Sequence, residues 1–338
     1  MSLNIEQGIS LMMAIASSPE RPVLMLRSAP GEGKTESAKQ AAERLNIGCL
    51  LCHAASTMVE DLSMPVVNVN KGTVSFALDA GLPLEGSQWP ERGIFIVDEI
   101  AAASKDTWKV YAHLFQEREY KGRRVKPGWL FVATGNRAQD RAGSGPMLGH
   151  LNNRMTFIDI ASDFNTWKAW YMSQDDYSPE LVAFHNFKQG ALLSDYKADR
   201  ECNPTPRSWV KCGKMLPHVP SDCEYEFLKG TVGEEAATEY MSFIRVCRAL
   251  PDPDAIIANP AKASIPEKMD VIYALCGALA HRATTKNFAN ILTFANRLNP
   301  EYMVLIVRDS IAHCPDIQAT SAFSKWTQNE GAKVLRNA

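Results

Sequence analysis

Residues 27 to 37 read RSAPGEGKTES, a run whose residue types and spacing suit the handling of phosphate. The phosphate-loop pattern G-x-x-x-x-G-K-[ST] finds Gly33, Lys34 and Thr35 in place, with Ser28 where its first glycine would stand and Pro30-Gly31 supplying a turn. In such a loop, successive backbone N–H groups and the positive end of the following helix surround the phosphates. The Lys34 ammonium would neutralise the β- and γ-oxygens, and the Thr35 hydroxyl would bind Mg²⁺. The backbone must approach closely at Gly31 and Gly33, whereas a side chain at Ser28 falls at a strand end, where it is more easily housed. The candidate nucleotide cradle is therefore Ser28, Ala29, Pro30, Gly31, Glu32, Gly33, Lys34, Thr35 and Glu36.

Such a loop needs partners. About sixty residues on, Ile94-Phe95-Ile96-Val97-Asp98-Glu99 is an apolar strand ending in two acids. Asp98 is placed to hold the Mg²⁺ that Thr35 touches, and Glu99 to orient and activate an attacking water. The next strand ends in ATGN, which puts the Asn136 amide at the same sheet edge, within reach of a γ-phosphate or of the water. Two arginines complete the set of candidates: Arg154 before a fifth strand, and Arg207 at the start of a helix after a proline.

The elements that must position these residues can be read from the same chain. VLMLR (23–27) is a short apolar strand and ESAKQAAERL (36–45) has helical composition, so the loop is flanked by strand and helix in the required order. With CLLCHA, GIFIVDE, GWLFVATGN and RMTFIDI, the first half alternates apolar strands with helix-like stretches, the pattern of a parallel α/β sheet. VVNVNKGTVSFAL (66–78) predicts a hairpin turning at Asn70-Lys71-Gly72, with its polar tip offered to a partner. After residue 160 the strands stop and helical patterns run to the end, broken by the proline-rich stretch 251–267. The expected division is an α/β core over 1–160, a helical part over 161–250 and a helical extension over 251–338.

Composition narrows the function classes. Within 338 residues, 36 basic and 38 acidic side chains give a net charge of −2, so no global field favours nucleic acid or membrane. No apolar run approaches the ~20 residues that span a bilayer, and MSLNIEQGISLMMAIASSPE reads as an amphipathic helix rather than a signal peptide. A cytoplasmic location is expected, and with it eight free cysteines. Cys49 to His53 spell the C-x-x-C-H of haem attachment, but they lie in an apolar run that predicts a buried second strand, and no further Cys/His pair stands at zinc-finger spacing.

The order SAPGEGKT, IFIVDE, ATGN, NNR, TPRSW resembles the AAA+ ATPases, and within them the MoxR-like branch. GWLFVATGNRAQDRAG and PTPRSW bring it closest to the bacterial and phage ATPases encoded beside a von Willebrand factor A-type partner. The resemblance implies an AAA+ P-loop NTPase core with a five-stranded parallel sheet, an all-helical lid and a helical extension. It also implies a homo-oligomer, a hexameric ring, that hydrolyses Mg·ATP to remodel or activate a protein partner in the manner of a chaperone. Asn136 then corresponds to sensor 1, Arg154 to the arginine finger given to a neighbouring subunit, and Arg207 to sensor 2. The hairpin is similar to the insert that such ATPases place near the pore. The alternative is a nucleic-acid-dependent ATPase, whose support is the basic cluster KGRRVK (121–126).

Overall fold

In the computed structural model, residues 2–79, 81–137 and 152–328 are described. Most of the RAQDRAG phrase falls in 138–151 and lies outside them. The chain divides into two units, residues 1–163 with 196–198, and residues 164–195 with those from 199 onward.

The first unit is built on strands β1 (Leu3–Asn4), β2 (Val23–Ser28), β3 (Gly48–His53), β6 (Arg92–Asp98), β9 (Gly128–Asn136) and β10 (Met155–Ala161). They pair in the order β1-β10-β2-β9-β6-β3, every neighbour parallel. The five longer strands are those expected from the sequence, and β1 adds a two-residue edge beside β10. A parallel sheet is covered on both faces, which is why its strands are apolar throughout. Alternation sorts the side chains. Leu24, Leu26, Ile94, Ile96, Leu130 and Val132 pack under α1 (Ile5–Ser17) and α2 (Lys34–Arg44), which contribute Ile9, Met12, Ala38, Ala41 and Ala42. Phe95, Val97, Phe131 and Ala133 face the other way, onto Tyr111 and Phe115 of a later helix (Lys105–Glu117). The α1 start is fixed by a capping box in which Asn4 and Gln7 exchange side-chain and backbone hydrogen bonds.

Two expectations change. The CLLCH run forms β3, but β3 is an edge strand of the sheet and Cys49 is exposed, so it is not buried. All eight cysteines are free. The hairpin begins earlier than read: β4 (Ser63–Asn68) pairs antiparallel with β5 (Thr73–Leu78), including Pro65 opposite Phe76. A proline is tolerated there because the ribbon has only two strands, so Pro65 can lie on an edge. Val66, Val67, Val69, Val74 and Phe76 are exposed on it. A shorter ribbon pairs β7 (Glu119–Tyr120) with β8 (Arg123–Arg124).

In the second unit every described regular element is helical. It packs one core around Tyr171, Phe184, Trp209 and Tyr240, and another around Leu279, Ile291, Phe294 and Ile306. The proline-rich stretch is not a bare linker. Pro253–Ala258 is helical, capped by the Asp252 side chain, and it buries Ile256 in the second core. Within this unit, the buried Lys168 ammonium donates to Asp309 Oδ1 at 2.5 Å and to Asn186 Oδ1 at 2.8 Å. Asn186 in turn donates to Asp309 Oδ2 at 3.0 Å. Burial presses the Lys168 pKa down and the Asp309 carboxylate opposes that shift.

Candidate nucleotide site

Parallel strands end on one edge, so Ser28, Asp98 and Asn136 come together without any further device. Ser28 is in register with Asn136, and His53 with Asp98. The loop leaves β2 at Ser28 and enters α2 at Lys34. Gly31 has φ 79° and Gly33 has φ 95°, a left-handed region in which a Cβ is strained. The first turn of α2 then presents N–H groups, those of Lys34, Thr35 and the exposed Glu36, that no helical carbonyl can take.

Lys34 is 9% exposed. Its ammonium donates to Ser28 O at 3.2 Å, Ser28 Oγ at 3.1 Å, Ala29 O at 3.0 Å and Asn136 Oδ1 at 3.1 Å. The lysine thus joins the loop to the end of β9. Ser28 is buried and donates its own proton to Ala29 O at 2.9 Å. Its hydroxyl is one of these four acceptors, so Ser28→Gly leaves three and is expected to be nearly silent in nucleotide affinity. A required phosphate ligand would instead raise the dissociation constant by roughly tenfold, the ~1.4 kcal/mol of one charge-assisted hydrogen bond, in a titration with a fluorescent ATP analogue. Glu32 is buried and its carboxylate accepts hydrogen bonds from the Ser162 N–H and hydroxyl, tying the loop to the chain that follows β10.

Thr35 Oγ1 donates to Asp98 Oδ1 at 2.6 Å, and Thr134 Oγ1 donates to the same oxygen at 2.5 Å. His53 Nδ1 lies 3.5 Å from Asp98 Oδ2. Glu99 is exposed, adopts φ 53° and donates its backbone N–H to Thr134 Oγ1 at 3.1 Å. A hydroxyl and a carboxylate at hydrogen-bond distance are hard oxygen donors suited to Mg²⁺, which takes few protein ligands and completes its shell with phosphate and water. Among the described residues there is no cluster of three or more His, Cys, Asp or Glu placed for another metal. Thr134 was not singled out from the sequence. It stands two positions before Asn136 on one strand, so the period of two puts both side chains on one face, and that was the available signal.

Arg154 is not part of this cluster. Arg154 immediately precedes β10, whose first residue Met155 pairs with Val23, the first residue of β2; the loop follows the last residue of β2. Arg154 therefore sits at the opposite edge of the sheet. Arg207 is exposed in the first turn of a helix (Pro206–Met215) of the second unit, a helix started by Pro206 and a Thr205–Ser208 capping box.

With the phosphate loop after the first long strand, and that strand flanked in the sheet by the fifth and the fourth, the architecture is decided. The fold is that of a P-loop NTPase. No family model and no curated protein matches the chain. Among solved structures, RuvB of Thermotoga maritima, a Holliday junction branch migration motor, is similar at 15% identity and a TM-score of 0.35, over 81% of this chain and 80% of that one. NtrX from Brucella abortus in complex with ATP is similar at 11% identity and a TM-score of 0.41, over 98% of this chain and 68% of that one. Likenesses this loose do not bear on function, which rests on the residues themselves.

Proposed function

We propose that this chain is an ATP-hydrolysing, MoxR-like AAA+ motor, assembled as a hexameric ring in the cytoplasm, that remodels or activates a protein partner. The observation that supports it most is the linked set Lys34, Asn136, Thr35 and Asp98 at the carboxyl edge of a parallel sheet, beside a left-handed Gly33. In this reading the loop N–H groups and Lys34 bind the β- and γ-phosphates. Thr35 and Asp98 would hold Mg²⁺, which supplies charge neutralisation between the phosphates. Glu99 takes a proton from the attacking water, and Asn136 aims its amide at the γ-phosphate. Arg207 reaches the nucleotide as sensor 2 from a helical lid over 161–250, with 251–338 as an extension.

The partner is a protein, of the von Willebrand factor A type by resemblance. The exposed apolar hairpin with its Asn70-Lys71-Gly72 tip is a surface suited to such a contact. Nucleic acid is the weaker reading. Of the KGRRVK cations, Lys126 is buried against Glu91 and the Trp89 carbonyl, while Lys121, which lies over the Phe76 ring, and Arg123 and Arg124 are exposed. DNA stimulation of turnover that falls steeply with salt would favour it.

The test of the hydrolytic reading is Glu99→Gln. The amide keeps size and hydrogen bonding but cannot accept the proton, so steady-state turnover is expected to fall on the order of a hundredfold while ATP affinity holds. Turnover equal to the unsubstituted protein would remove Glu99 from the chemistry.

A further inference from the structure

We propose that Thr134 is a positioning residue for hydrolysis, one hydroxyl that sets the Asp98 carboxylate and the Glu99 backbone together. The inference rests on the ATPase reading above and adds to it a residue outside the loop and outside the two acids.

Thr134 lies inside β9 and is fully buried. A hydroxyl carries one proton and two acceptor lone pairs. Here the proton goes to Asp98 Oδ1 at 2.5 Å, and a lone pair receives the Glu99 N–H at 3.1 Å. Thr35 approaches the same Asp98 oxygen at 2.6 Å, so two hydroxyls on one oxygen fix the rotation of the carboxylate. The second contact has a separate effect. Glu99 is a non-glycine residue at φ 53°, ψ 42°, a conformation that persists only where neighbours enforce it. The Glu99 side chain is exposed, so packing does not aim it, and its direction follows from the backbone that Thr134 holds. Valine in place of Thr134 keeps the branched shape that suits a strand and removes only the hydroxyl. Asp98 Oδ1 would then lose one donor and the Glu99 N–H its acceptor.

The Thr134 hydroxyl bonds Asp98 and Glu99 rather than the loop, so its loss should appear in turnover rather than in nucleotide affinity. The experiment compares the full chain with Thr134→Val and Thr134→Ser, measuring ATP turnover, affinity for a fluorescent ATP analogue, Mg²⁺ dependence and melting temperature. Thr134→Val is expected to lower kcat by about tenfold or more, with the dissociation constant within about twofold, the pattern of an interaction that matters in the transition state. The half-saturating Mg²⁺ concentration should rise, since Asp98 loses one of the two hydroxyls that hold it, and a merely structural residue would not move it. Thr134→Ser restores the hydroxyl and should recover turnover to within about threefold of the unsubstituted protein. If the valine variant does not fold, Thr134→Ala takes its place.

Unchanged kcat without the hydroxyl would overturn the role while leaving the ATPase reading intact. Equal losses in the valine and serine variants would also overturn it, in favour of packing. Absence of ATP turnover in the unsubstituted protein would overturn the ATPase reading, and this inference with it.

Discussion

Replacing Arg154 with alanine is expected to leave ATP binding close to normal while slowing hydrolysis by on the order of a thousandfold, the contribution of arginine fingers generally. The physical ground is the position of Arg154 in the sheet. Because β10 and β2 are parallel and Met155 pairs with Val23, Arg154 lies beyond the amino end of β2, whereas the loop begins beyond Ser28 at its carboxyl end. The length of β2 lies between the two, five residue steps or about 16 Å at ~3.3 Å per residue, and each lies beyond its own end of that strand. The guanidinium is thus badly placed to serve its own loop. If it acts on phosphate, it acts on a neighbour's, where it would stabilise charge developing on the transferred phosphoryl group.

Mixing Arg154→Ala with Lys34→Ala tests this. Each protein is expected to be inactive alone, the first for want of a finger and the second for want of a loop. If the site is shared between subunits, some mixed assemblies bring an intact loop to an intact arginine, and turnover should partly return. No recovery, with subunit exchange demonstrated independently, would refute a shared site; near-normal turnover of Arg154→Ala alone would make it a surface charge.

Much of the site was legible because its chemistry is local. RSAPGEGKTES carries its own glycines, lysine and threonine, and IFIVDE places two acids at a strand end, so the meeting of Thr35 with Asp98 follows once the strands are parallel. Features that depend on three-dimensional order were harder to read. The apolar character of CLLC says strand but not where in the sheet, and β3 lies at an edge. Pro65 disguised the start of the hairpin. A threonine within a strand reads as an ordinary strand former, so the two hydrogen bonds of Thr134 were hidden until β9 lay beside β6. The Lys168–Asp309 pair joins residues 141 positions apart, a separation for which no local pattern exists.

Everything proposed for this site depends on the Lys34 loop binding a nucleoside triphosphate. Lys34 is held by Ser28, Ala29 and Asn136 at the point where loop and β9 meet, so its charge is already in place for the phosphates and little reorganisation is needed. Alanine removes that charge and leaves the phosphate oxygens without their point-charge partner in a partly buried site. Two charge-assisted contacts at ~1.4 kcal/mol each correspond to roughly a hundredfold in affinity. The deciding measurement is an equilibrium titration of the full chain and of Lys34→Ala with a fluorescent ATP analogue and Mg²⁺, with melting temperatures recorded to show that both are folded. The unsubstituted protein should bind saturably, and Lys34→Ala should bind more weakly by about a hundredfold or more, or not at all. Equal affinity in the two folded proteins would contradict it.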